Sequence, residues 1–180
     1  MDRLLARVLG LLAESCRMAT QRCNCGFHTD PTNVCRCSPH QIQRYRSRIS
    51  GPLLDRIDLH IDVPKVKFDD LASERKEESS IDIRKRVNAA RIIQRDRFKK
   101  DGIYNNASIS SRHIKKFCNI DEDSKRLLSL AINKFGLSAR AYDRILKVGR
   151  TIADLAKEEN IKSEHIAEAI QYRILDREFE

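Results

Sequence analysis

The sequence has no tryptophan, and phenylalanine and tyrosine bring its aromatic share to only 6%. That scarcity excludes the rows of exposed rings on which single-strand-binding proteins stack successive bases. No run is long and apolar enough to span a bilayer. The leucine-rich opening, residues 1–16, is interrupted by Arg3, Arg7 and Glu14. It therefore reads as an amphipathic helix with Leu4, Leu5, Val8, Leu11 and Leu12 at helical spacing, not as an export signal. Without such a signal the expected compartment is the cytoplasm. Six cysteines in a reducing compartment are not read as three disulfides.

What the chain has in excess is positive charge. Lys and Arg number 35 against 26 acids, for a net +9 and an isoelectric point near 9.4. Such a balance favours polyanionic partners, nucleic acid or nucleotide phosphates, with a merely solvated helical surface as the alternative. The 41% hydrophobic share is enough for a core.

Periodicity makes most of the chain helical. A helix from Ser79 or Ser80 to about Lys100 buries Ile83, Val87, Ala90 and Ile93, and a short one spans Ser111–Phe117. Asp121 caps a third, with Leu127, Leu128, Ala131 and Phe135 on one face and Gly136 as its stop. Ser138 opens the most regular helix, in which Ala141, Ile145, Val148, Ile152 and Leu155 step by four and three. Ser163 is read as the cap of the last, with Ile166, Ala167, Ile170 and Ile174 inward. Such stripes bury one another, so residues 80–177 are predicted to form an all-α bundle. Ahead of it lies a charged run within 67–79, read as a linker. Residues 23–66 form the preceding unit and residues 1–22 an N-terminal helix.

Three constellations carry chemistry. Cys23, Cys25, Cys35 and Cys37 form two Cys-x-Cys pairs, and residues i and i+2 of an extended segment face one way. The turn between the pairs can bring four thiolates to one tetrahedral zinc ion, a structural site with no open position. His28 or His40 could replace one ligand, and free surface cysteines are the alternative. Cys16 and Cys118 are single and read as buried small residues. Pro39 opens a basic helix over 41–49 in which Arg44 and Arg48 share a face, available to phosphate or to solvent.

The third constellation is SGPLLDRIDLHIDVP, residues 50–64: a turn, a short helical step, then alternating Ile57, Leu59, Ile61 and Val63. That period of two predicts a strand. Arg56 sits at the corner, where it can reach a neighbour's phosphate or pair with Asp55 or Asp58. Arg140 lies in the first turn of its helix, where the dipole favours anions, so its charge suits a phosphate better than it suits the helix. Arg144, one turn on, can pair with Asp143 or Asp154.

Residues 42–45 (IQRY) and 48–64, with LSARAYDRILKVGRTIADL at 137–155 and HIAEAIQYR at 165–173, resemble the magnesium-chelatase-like AAA+ ATPases. Within them the closest resemblance is to the YifB/ComM competence group. The likeness covers roughly residues 19–177, the Cys-x-Cys knuckle included. It implies a mostly α chain: the C-terminal remnant of an AAA+ α/β core, with one or two strands, followed by an all-α lid. It also implies a homo-hexameric, ATP- and Mg-dependent motor on DNA, described for ComM as branch migration. In that setting Arg56 matches the arginine finger, which enters the adjacent subunit's ATP site, and Arg140 the sensor-2 arginine touching nucleotide in its own subunit.

Departures accompany the likeness. No Gly-x-x-x-x-Gly-Lys-Ser/Thr and no Walker-type acidic strand occurs in these 180 residues, so phosphate cradle and magnesium site are missing. The family's sensor-1 asparagine falls on Gln21, and both prolines of its Asn-Pro-Cys-Pro-Cys-Gly are absent from QRCNCG at 21–26. Residues 1–18 do not resemble the family strand expected there. The chain thus reads as a truncated or frame-shifted C-terminal piece, inactive alone as an ATPase. A stand-alone basic module holding nucleic acid or a partner protein is the other reading.

Overall fold

Helix starts follow from small polar side chains that take up the unpaired N–H groups of a first turn. Ser79, Asp121 and Ser138 accept from the backbone N–H groups of Asp82, Ser124 and Ala141, as their positions in the sequence predict. The computed structural model describes residues 19–30, 32–63, 65–66 and 78–173. Within them lie α1 (Pro39–Arg46), α2 (Gly51–Arg56), α3 (Ser80–Phe98), α4 (Ser111–Phe117), α5 (Glu122–Phe135), α6 (Ala139–Ala156) and α7 (Ser163–Gln171). A 3-10 turn at Asn106–Ser108 joins α3 to α4. Gly136 closes α5 in the left-handed region at φ 50°, where a Cβ would be strained.

The last cap differs from expectation. Lys162, not Ser163, holds the capping position of α7, and its backbone N–H is bound by His165 Nδ1 at 3.0 Å. A histidine three residues into the helix thus takes up the N–H of the capping residue, where a serine cap would instead accept from an N–H inside the first turn. The predicted N-terminal helix lies largely outside the described residues, as do Cys16, Ile174 and most of the predicted linker at 67–79.

Helix α6 is the axis of the bundle. Eleven of its eighteen residues are buried, so it is surrounded instead of resting on one face. Ile145, Leu146 and Ile152 pack with Leu128, Phe98, Ile109 and Ile166 in one continuous core. Fully burying each such side chain is worth about 1.5–3 kcal/mol. Phe98 and Phe117 meet edge to face with ring centroids 5.2 Å apart, which seats α4 against the end of α3. Gly149 lets α7 approach closely, since a Cβ there would come within 3.0 Å of the Ile166 side chain. Cys118 is buried as expected, and burial pushes its thiol up to about 11, so it stays protonated and inert.

The strand expected over 57–63 does not form. Among the described residues the β pairing consists of one parallel bridge between Ile120 and Ile161. The 57–63 segment runs over the helical bundle and finds its polar partners there. His60 N donates to Tyr172 O at 2.8 Å, and the Ile57 carbonyl accepts from the Arg173 guanidinium. Leu59 and Ile61 still pack against the core, whereas Val63 is 72% exposed. Alternation thus marked Leu59 and Ile61 as inward but not Val63, and the surface that receives them is helical.

Candidate arginine site and cysteine cluster

Two ends of the bundle, the start of α6 and the end of α7, close on the short helix α2. The pivot is Asp55. Ser138 Oγ donates to Asp55 Oδ1 at 2.7 Å while the same oxygen accepts the Ala141 N–H that caps α6. Arg140 reaches Asp55 Oδ2 at 3.7 Å, and Arg173 lies 3.8 Å from Oδ1. One turn into α6, Arg144 binds Asp58. This corrects the expected partners of Arg144: Asp143 instead accepts from Ser111 Oγ at 2.9 Å, and Asp154 is fully buried elsewhere.

These pairings bear on Arg56. Its two sequence neighbours of opposite charge, Asp55 and Asp58, are both taken up by residues of α6 and by Arg173. Arg56 stands exposed at the last position of α2, and among the described residues no acid pairs with it. Arg140 is held less firmly. Its side chain is 71% exposed and its contact with Asp55 is long, so the ion pair contributes little to stability. Asp55 also places a negative charge at the N-terminus of α6, offsetting the unfavourable position of Arg140 in the first turn. The guanidinium remains free to turn to another anion.

Sequence reasoning named Asp55 and Asp58 only as partners of Arg56 and passed over Arg173 as a member of this site. Arg173 is only 1% exposed, and a buried arginine in the last described turn has no periodic signal to mark it. It also missed the polar centre of the bundle. Asp154, with no exposed surface, accepts from Arg97 at 2.8 and 2.5 Å, from Arg150 Nε at 3.0 Å and from Asn106 Nδ2 at 2.8 Å. Arg150 continues to the carbonyls of Glu158 and Glu159, both at 2.6 Å, and so fixes the turn between α6 and α7. That turn contains Lys157 in the left-handed region at φ 62°.

The basic helix is shorter than predicted. Helix α1 ends at Arg46, and Arg48 lies in the turn beyond it, its guanidinium 5.5 Å from the centre of the Tyr45 ring. Arg44 and Arg48 are both exposed, but they do not share a helical face. A capping box between Ser38 and Gln41 and proline at its start hold α1 in shape, and none of its residues is buried.

The four cysteines come together as their spacing predicts. Sγ–Sγ distances are 3.3 Å for Cys23 and Cys25, 3.8 Å for Cys23 and Cys35, and 3.5 Å for Cys25 and Cys35. All four sulfurs, Cys37 included, lie within 4.8 Å of one another. Tetrahedral ligands at about 2.3 Å from zinc stand roughly 3.8 Å apart, so a metal ion fits with little adjustment. His28 and His40 are not part of the cluster. Gly26 at φ 80° closes a tight turn that contains the first pair, with its N–H on the Cys23 carbonyl. Asp30 holds the connection to the second pair by accepting from Thr32 and Asn33, and these donors keep its carboxyl well below the usual range.

The ionisation of the cluster also asks for a cation. Hydrogen bonds from the Phe27 N–H and the Cys23 thiol bring the Cys25 thiol down to about 6. The Cys37 N–H favours the Cys35 thiolate, but burial and the neighbouring thiols of Cys25 and Cys23 outweigh it and push Cys35 up to about 12. Cys37 is raised by the same crowding, despite the Cys25 N–H that favours its thiolate. Four adjacent thiolates repel, and a divalent ion removes that repulsion. Contacts from Arg22 to Asp62, at 2.7 Å, and from Lys65 to Thr32, at 3.1 Å, tie the knuckle to the segment beyond α2.

Comparison with known proteins places this architecture. Residues 77–173 match the family described as magnesium chelatase, subunit ChlI C-terminal, and residues 14–71 match magnesium chelatase, subunit ChlI. The likeness therefore begins at residue 14, a few residues inside the stretch that the motifs alone set apart. The competence protein ComM of Haemophilus influenzae is 44% identical over 153 residues, covering 84% of this chain and 29% of that protein. The YifB proteins of Salmonella typhimurium and Escherichia coli are 43% and 40% identical, each over 143 residues, 79% of this chain and 28% of theirs. The chain spans less than a third of the length of these relatives.

Proposed function

The chain belongs to the magnesium chelatase ChlI family, and on that footing we propose that it supplies the arginine side of a shared ATP site in a ring of AAA+ subunits. The observation that supports this most is the position of Arg56. It projects from the end of α2 with Asp55 and Asp58 both engaged by other residues. A guanidinium so placed neutralises charge developing on a phosphoryl group that another segment holds, the work of an arginine finger. Arg140, exposed and tethered to Asp55, is the sensor-2 arginine of the same reading. The docking of α6 and α7 on α2 makes a change in lid position felt at Arg56.

These 180 residues contain no phosphate-binding loop, so ATP and Mg2+ have to be held by another segment or chain. This chain alone is expected to hydrolyse no ATP above background in a phosphate-release assay. Protein-dependent turnover that Arg56→Ala abolishes would contradict the shared-site reading. The polymer moved by the ring is DNA in this proposal, with branch migration as the activity of the whole motor. A second reading, a basic module that binds nucleic acid on its own, draws on the exposed cations alone.

The knuckle of Cys23, Cys25, Cys35 and Cys37 takes Zn2+ as a structural ion. Bound there, zinc would be saturated by protein ligands and would fold the loop instead of acting on substrate. Elemental analysis of the purified chain is expected to give about one zinc per chain by this ligand count. Chelation should release it more readily as pH falls, because protons compete for the thiolates. A folded sample holding only traces of metal would end this assignment.

A further inference from the structure

Between α3 and α4 the surface carries cations and little to balance them. The stretch 95–118 has seven Lys and Arg against two Asp. Of these, Arg97 is spent on buried Asp154, but Arg95, Lys99, Lys100, Arg112, Lys115 and Lys116 are exposed. The contact of Phe98 with Phe117 and the approach of Asp101 to His113, at 3.8 Å, join the two helices, so the cations at the end of α3 stand beside those of α4. An open depression of 470 Å3 lies on α4, lined by Ser111, Arg112, Lys115 and Lys116. The nearby acids are accounted for: Asp101 faces His113 and Asp143 accepts from Ser111, which leaves Asp96 on the edge.

We propose that this face of α3 and α4, and not helix α1, is the principal contact of the chain with the phosphate backbone of nucleic acid. The inference rests on the nucleic-acid partner named above and assigns it a surface. Arg112, Lys115 and Lys116 recur at i, i+3 and i+4, about 5–6 Å apart along one helix face. A duplex presents one charge per about 1.7 Å of its axis and can engage all three together. The side chains that line the depression are three cations and a serine, with no aromatic residue of the kind that anchors a protein partner. It is also rigidly mounted, since Ile114 is buried in the core and Lys116 lies over the Phe117 ring at 4.6 Å. Helix α1 has no buried residue to fix it.

The test is fluorescence anisotropy of labelled duplex and single-stranded DNA with the full chain across a range of salt. The triple variant Arg112→Gln, Lys115→Gln, Lys116→Gln should weaken binding at least about tenfold at low salt. It should also flatten the slope of log affinity against log salt by about two to three, since each phosphate contact contributes roughly 0.9. A control with the same loss of charge, Arg84→Gln, Lys85→Gln, Lys125→Gln, should keep most of the affinity. Equal loss in the control overturns the proposal, because net charge alone would then explain binding. Loss confined to Arg44→Gln with Arg48→Gln overturns it and leaves the nucleic-acid partner standing. No binding by the unaltered chain removes both. Polyglutamate competing as well as DNA at equal charge concentration reassigns the face to acidic polypeptides and likewise overturns it.

Discussion

Replacing Asp154 by asparagine should cost the helical bundle about 3–5 kcal/mol, the range for removing one partner of a buried ion pair. Asp154 has no exposed surface and is the shared acceptor for Arg97, Arg150 and Asn106. Asparagine keeps the volume but not the charge, so two guanidiniums remain beside each other without an acid between them. Its amide nitrogen would also point a donor at donors. Arg150 loses part of its hold on the carbonyls of Glu158 and Glu159, which loosens the turn that starts α7. Domains of this size are stable by only about 5–15 kcal/mol. At roughly 4–8 °C per kcal/mol the melting temperature should fall by about 15–30 °C. Thermal unfolding followed by circular dichroism reads this directly. A fall of only two or three degrees would show that the centre is not held by charge. Asp82→Asn, at an exposed ion pair with Lys85, serves as a control expected within about 0.5 kcal/mol of the parent.

That polar centre was the least legible part of the chain, and the reason is physical. Arg150 and Asp154 stand four apart on a helix, which in sequence looks like a surface ion pair. They are buried because α3 brings Arg97, and the 3-10 turn brings Asn106, onto that side of α6. One signal was available: Ile145, Leu146, Val148, Ile152 and Ala153 point in too many directions to leave α6 a solvent face. Polar residues among them therefore have to be inside. Caps and stripes were readable because they are local. Ser79, Asp121, Ser138 and Gly136 act within one turn of themselves, and the inward sets of α3, α5 and α6 follow from 3.6 residues per turn.

The candidate site was readable in its parts but not in its assembly. Two Cys-x-Cys pairs foretold a four-sulfur cluster, although the first pair is brought together by the turn that the Gly26 N–H closes on the Cys23 carbonyl and not by extended chain. Arg56 and Arg140 were identifiable from their places in the motifs. What ties them together, Asp55 bound to Ser138, Arg140 and Arg173, joins residues more than eighty positions apart. No local pattern encodes such a contact. The alternation at 57–63 was read as a strand because docking on a helical surface also turns Leu59 and Ile61, two apart, to the same side. Only the partners of Ile57 O and His60 N distinguish the two arrangements.

The second large effect concerns Arg56 itself. An arginine finger raises phosphoryl-transfer rates by about 10³–10⁵, and its loss should leave nucleotide binding intact. The decisive preparation is an assembled ring in which this chain replaces the matching region of a full-length relative such as competence protein ComM. With Arg56 present, ATP hydrolysis should match that of the parent ring. Arg56→Ala should lower kcat by about a thousandfold or more while ATP affinity and assembly persist. Mixing in subunits with an intact Arg56 but a disabled phosphate-binding loop should restore turnover, since a finger acts on its neighbour's nucleotide. The measurement is steady-state phosphate release by these rings at saturating ATP. Near-complete loss with Arg56→Ala, recovered on mixing, is what the shared site requires; undiminished hydrolysis by the Arg56→Ala ring would contradict it.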